Sequence, residues 1–271
     1  MDRTRRIACL VLLAAVLAAV LAGRASGESP YRLGWSKDGR IAGASAVAGV
    51  GAALAGRTPE PLTVPEINEL SRGSINPFDR SATWRYSDRI GEASDVLLGA
   101  VVAAPLALML DARVREDWET CTLMYAETMA LAVILPAFGK GTVDRIRPFV
   151  YNPDAPMDRK TTSDARKSFF SRHTSVAFAS AVFVSTVYGD YHPGSAAGRC
   201  LWAGSILAAA AVGAMRYESG KHFPTDIVAG AAAGSAVGYI IPRIHRIGGE
   251  RLSLRPDFRG SRPGLALELR I

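Results

Sequence analysis

The stretch SFFSRHTSVAFA, residues 168–179, sets Ser171, Arg172 and His173 directly before an apolar run that meets no charge until Asp190. Periodicity does not separate a buried strand from a buried helix in such a run, but its length and Ala content favour helix. Ser171 is then well placed as the N-cap, its hydroxyl satisfying a free backbone N–H of the first turn. A cap does not account for His173. A helix N-terminus also binds anions through its free N–H groups, and a hydroxyl and an imidazole beside it would add donors.

Working outward, five further uncharged stretches, 41–56, 96–110, 128–139, 200–215 and 227–242, join 174–189, and none exceeds 16 residues. All are rich in Ala and Gly. They predict an all-α fold, a helical bundle with a core of about six helices within a single domain at 28–250. At 1.5 Å per residue, 16 residues reach about 24 Å, short of the roughly 30 Å of a bilayer core. A soluble bundle is therefore expected ahead of a six-span membrane protein. The polar segment 57–95, containing PEINEL and NPFDR, reads as a short helix with loops. At the far end Leu265, Leu267, Leu269 and Ile271 alternate with Ala266, Glu268 and Arg270, the period of a half-buried strand. With Leu252 and Leu254 across a Pro/Gly turn they predict a small β-hairpin extension at 251–271.

The N-terminus reads MDRTRR, then an uncharged run to Gly23, then Arg24 and a small-residue stretch ending at Gly27. This is the layout of a secretory signal peptide over 1–27, with an uncleaved anchor as the alternative, so the chain is expected to be exported to the periplasm or cell envelope. Loss of its four Arg and one Asp lowers the formal charge from +7 to +4. That mild excess suits acidic small molecules or anionic lipid surfaces and not nucleic acid. Cys9 would leave with the signal; Cys121 and Cys200 have no metal-ligand spacing and fall at one end of an up-and-down bundle, where a disulfide or two free thiols are both open.

Three clusters carry chemistry. In KGTVDRIRP, Lys140 and Arg147 stand seven apart, which on one helix stopped by Pro148 would put two cations on one face about 10 Å apart. The second cluster is Ser171 to His173. In the third, RYESGKHFPTD, His222 and Asp226 stand four apart, so the Asp would accept from one ring nitrogen and leave the other free. In an up-and-down bundle the end of the third stretch, the start of the fourth, the end of the fifth and the start of the sixth all fall at one end. Lys140, Arg147, Arg216, Ser171, His173 and His222 would converge there on a pocket suited to a tetrahedral oxyanion.

These residues resemble the three signature motifs of the type 2 phosphatidic acid phosphatase superfamily, which also holds bacterial class A acid phosphatases and vanadium haloperoxidases. The pattern K-x6-R-P is matched by Lys140 to Pro148, P-S-G-H by Phe170 to His173, and S-R-x5-H-x3-D by Met215 to Asp226. The resemblance implies a metal-independent phosphatase with no cofactor. His222 would form a phosphohistidine, Asp226 would fix its tautomer, and His173 would protonate the leaving oxygen. Lys140, Arg147, Ser171, Arg216 and the backbone N–H of Arg172 would hold the phosphate.

Phe170, Arg172 and Met215 depart from the pattern, and Arg172 adds a cation at the pocket rim. Residues 140–172 carry eight Lys/Arg against four Asp, which predicts a preference for polyanionic substrates. The expected substrates are phosphomonoesters or diphosphates, lipid-linked ones foremost, with a membrane surface as partner and vanadate as inhibitor. The alternatives are a vanadate-dependent haloperoxidase and a non-catalytic phosphate- or lipid-binding envelope protein.

Overall fold

A computed structural model of the chain describes residues 29–34, 38–41, 43, 49 and 59–247, and the backbone of 251–257 and 264–270. The signal-like segment and most of the stretch 41–56 lie outside the described residues. The described body is helical, with five long helices: α1 Asp88–Ala103, continued by tight turns to Leu110, α2 Trp118–Thr142, α3 Arg172–Tyr191, α4 Ala196–Glu218 and α5 Pro224–His245. Their starts follow local chemistry. Ser87 caps α1 by accepting from the Ile90 N–H, Ser195 caps α4 by accepting from Gly198, and α5 opens on Pro224, which has no N–H to leave unsatisfied. The backbone of Arg251–Asp257 runs antiparallel to Gly264–Arg270, with Leu252 opposite Leu269.

Helix α3, the run that opened the sequence analysis, touches each of the other four long helices. Ala177, Ala179, Phe183, Val184 and Val187 are buried on it. Helix α5 lies closest, backbone against backbone. A Cβ at Gly234 would come within 2.1 Å of the Ser175 carbonyl oxygen, and at Gly238 within 2.5 Å of that of Ala179. This approach brings the Ser171 N–H to 3.1 Å from the Asp226 carbonyl, tying the start of α3 to the start of α5. Gly234→Ala is expected to lower stability by about 1–3 kcal/mol through overpacking. Gly204→Ala, with nothing within 4 Å of the new methyl, should leave stability unchanged or slightly raised. Paired thermal melts of the detergent-purified variants decide it: equal midpoints would contradict the close packing.

The helices are longer than the uncharged stretches that announced them, because charged residues at both ends remain helical. Asp88–Leu110, Trp118–Thr142, Ala196–Glu218 and Pro224–His245, of 22 to 25 residues, are each long and apolar enough to cross a membrane. Twenty-two residues rise about 33 Å, so the length argument for a soluble bundle fails. The outer faces are apolar too: Leu110, Val96, Leu106 and Leu207 are 85, 76, 70 and 69% exposed. Cys121 is buried and Cys200 exposed, and both thiols are free.

Candidate active site

The elements converge as their order in the bundle dictates. Arg147, Ser171, His173, Arg216, His222 and Asp226 gather where α2 and α4 end and α3 and α5 begin, with Lys140 among the cations that act on His222. The local routes differ from expectation at two points. Helix α2 ends at Thr142, and the chain then extends through Val143 to Arg147, so Lys140 and Arg147 do not share a helix face. Arg147 is instead oriented by backbone acceptors. Its Nε donates to the Asp164 carbonyl at 2.9 Å and its Nη1 to the Lys221 carbonyl at 2.9 Å, while Nη2 meets the Asp164 carboxylate at 2.9 Å.

The second difference concerns Asp226. His222 precedes α5 and is 1% exposed, and its Nδ1 lies 2.8 Å from the Ser168 carbonyl but 3.7 Å from Asp226 Oδ2. A carbonyl only accepts, so Nδ1 carries the proton and Nε2 the lone pair. The tautomer expected of Asp226 is set by Ser168, a residue the motif reading missed. Asp226 acts one step back: it accepts from Ser168 Oγ at 2.6 Å, from the Phe223 N–H at 2.9 Å and from Arg145. Arg145 in turn pairs with buried Asp79 at 2.7 Å. Asp79 also accepts from the Thr225 backbone and hydroxyl, so a residue from the polar segment 57–95 braces the site.

Ser171 is the N-cap of α3, its Oγ accepting weakly from the Thr174 N–H at 3.3 Å, and it is fully buried. Arg172 is exposed at the first turn of α3. His173 Nε2 lies 2.7 Å from Asp95 Oδ1, and Arg216 Nη1 donates to the same oxygen at 3.2 Å and to Ser94 at 3.1 Å. Arg216 Nε is buried and has no partner among the described residues. Asp95, Ser94 and Lys221 had no motif to mark them. With Asp88, Asp164, His173 and Arg216, Asp95 and Lys221 line a cleft of about 230 Å³.

The cations of the loop 140–172 largely face other partners. Arg145 is committed as above, Arg166 pairs with Glu66 at 2.7 Å and Asp144 at 2.9 Å, Arg159 lies 3.6 Å from Asp88, and Lys160 is buried. Part of the charge excess behind the expected preference for polyanions is thus met by Asp79, Asp226, Glu66 and Asp88 outside the loop and by Asp144 within it, while Arg159 lines the cleft.

Burial, followed by the cations Arg147, Lys140 and Arg216, holds His222 well below the usual histidine value of 6.5. A neutral imidazole with its Nε2 lone pair free is a nucleophile, and the surrounding donors suit an anion. In a ¹⁵N-histidine spectrum, the His222 resonances, assigned by their loss in His222→Ala, should keep the neutral Nδ1–H pattern as pH falls through 6.5. Titration near 6.5 would contradict this environment.

Residues 122–248 match the PAP2 superfamily. Every residue of the candidate site named by motif falls inside that span. A search of curated proteins returns no match. Among solved structures, Aquifex aeolicus LpxE is 22% identical with a TM-score of 0.38, covering 54% of this chain and 84% of its own. A transmembrane PAP2-type phosphatidylglycerolphosphate phosphatase from Bacillus subtilis is 17% identical with a TM-score of 0.42, covering 86% and 92%.

Proposed function

We propose that the chain is a membrane-embedded phosphatase that hydrolyses lipid-linked phosphomonoesters or diphosphates through a phosphohistidine on His222. The observation that carries the reading is the buried His222, its Nδ1 held 2.8 Å from the Ser168 carbonyl and its Nε2 without a hydrogen-bond partner among the described residues, beside Arg147, Lys140 and Arg216. The apolar outer faces of four helices support a lipid substrate, since its chains can remain in the bilayer while its phosphate enters the cleft.

The steps follow from the groups present. His222 Nε2 attacks phosphorus, the P–N bond forms as the P–O ester bond breaks, and His173 gives its proton to the leaving oxygen. Lys140, Arg147 and Arg216 take the charge that builds on the non-bridging oxygens, joined by the N–H groups at the start of α3. The orphan donor at Arg216 Nε gains an acceptor when those oxygens arrive. Water, deprotonated by His173, then attacks phosphorus from the other side, and the P–N bond breaks to release phosphate and restore neutral His222. These steps use no metal or cofactor.

The test is phosphate release by the full chain in detergent micelles from an aryl phosphate, phosphatidate and an isoprenyl diphosphate. Release is expected, fastest from a lipid member, and vanadate should block it by occupying the phosphate position. Silence on all three, or halide oxidation that requires vanadate, would overturn the phosphatase reading.

A further inference from the structure

Far from the phosphate cleft, three titratable side chains from distant parts of the chain meet in the interior. They are Asp38, in a helical stretch that precedes the described body, Glu127 in the middle of α2 and His245 at the end of α5. All three are buried, and one ligand atom of each lies within 4.8 Å of the others. His245 is 19 residues beyond Asp226 on α5, about 28 Å along the axis, so the cluster serves the opposite end of the bundle.

The imidazole is oriented as a ligand. His245 Nδ1 lies 2.8 Å from the Ile241 carbonyl, which can only accept, so Nδ1 bears a proton. In the neutral ring Nε2 then presents its lone pair to Asp38 Oδ1 at 2.9 Å and Glu127 Oε2 at 3.5 Å. A lone pair facing two carboxylates is repulsive unless a cation or a proton stands between them. Asp38 is fixed in its turn, its second oxygen accepting from the Gly34 N–H at 2.7 Å. An imidazole held by a backbone carbonyl through its far nitrogen is the usual outer support of a metal-binding histidine.

Glu127 supplies the independent observation. Its side chain is 6% exposed, it points at His245, and neither carboxylate oxygen has a hydrogen-bond partner among the described residues. A carboxylate inside an apolar helix and without a donor costs several kcal/mol, and such a residue in a membrane-crossing segment is retained for a purpose. Asp38 Oδ1, His245 Nε2 and Glu127 Oε2 make three donors, the number that a zinc site with one open position uses. Bonds of about 2.0–2.1 Å in a tetrahedral site put ligand atoms about 3.3 Å apart, and the observed 2.9 and 3.5 Å bracket that value.

We propose that Asp38, Glu127 and His245 bind one divalent transition-metal ion of the zinc or manganese class, which pins the segment around Asp38 to α2 and α5. Two carboxylates and a neutral imidazole carry two negative charges, which such an ion cancels. The residues lie at the far end of α5 from His222, so the ion takes no part in phosphate transfer.

The test uses the full chain purified in detergent without metal-affinity resin, with bound elements measured by plasma mass spectrometry. About one divalent ion per chain is expected, with affinity weakened roughly 100-fold or more in Glu127→Gln. The chelator-treated wild type should melt lower, and zinc or manganese should restore its midpoint by mass action. If Glu127→Gln fails to fold, Asp38→Asn and the wild-type titration decide instead. Wild type without metal and with a midpoint indifferent to both ions would overturn the proposal and leave a proton as the bridge. Equal metal content in wild type and a folded variant would overturn the assignment of the site.

Discussion

His222→Ala is expected to lower phosphate release by about 10⁴-fold or more while leaving the fold and vanadate binding in place. The size follows from what is lost. Without the imidazole, phosphorus must be attacked by water in one step, and His173, the cations and the helix N-terminus remain to lower the barrier without the covalent route. Wild type quenched during turnover should carry phosphate in an acid-labile, base-stable bond, the signature of a P–N linkage, and His222→Ala should carry none. Asp226→Asn should be milder, because the Ser168 carbonyl, not Asp226, sets the His222 tautomer. It leaves the Nδ1–H in place and weakens the support of Ser168 together with the pairing to Arg145. Steady release by a folded His222→Ala protein would sink the phosphohistidine mechanism.

How far the sequence reaches is visible in these two residues. His222 and its cationic neighbours were legible because four helix ends carry them, and bundle topology puts those ends together whatever the local path. Lys140 and Arg147 do converge, though the shared helix invoked for them ends at Thr142. Topology was enough, and the local geometry was wrong. Ser168 could not be found that way, since a backbone carbonyl has no sequence signature. Asp95 stood at the edge of an apolar stretch like any solvated helix residue. The membrane-crossing length of the helices was hidden because uncharged residues were counted while helices run on through their charged ends. Asp38, Glu127 and His245 come from three elements, two of them 207 residues apart, so no spacing could pair them.

Arg145→Leu should be the most destabilising single change at the site, though it removes no group that touches phosphate. Arg145 sits between Asp79 and Asp226, both fully buried, and is itself 23% exposed. Removing it strands two carboxylates away from water. Each keeps other donors, Asn76 and Thr225 for Asp79, Ser168 and Phe223 for Asp226, but neither keeps a counter-charge among the described residues. Breaking a buried pair costs about 3–5 kcal/mol, and with partial exposure of the guanidinium about 2–4 is expected. Arg166→Leu is the comparison, because Arg166 pairs with Glu66 and Asp144, which are 46 and 59% exposed. That change should cost about 0–1 kcal/mol. Melts of the two variants showing equal losses would refute the bracing role. The pH dependence gives a second check. Although burial opposes it, donation from Asn76, Thr225 and Arg145 holds Asp79 below its usual 3.8, so its contribution is present above that value and lost as pH falls through the lower one. In Arg145→Leu the carboxyl loses a donor and its charge partner and titrates higher. A protonated Asp79 needs no counter-charge, so the gap between wild type and variant should narrow as pH drops toward and below 3.8.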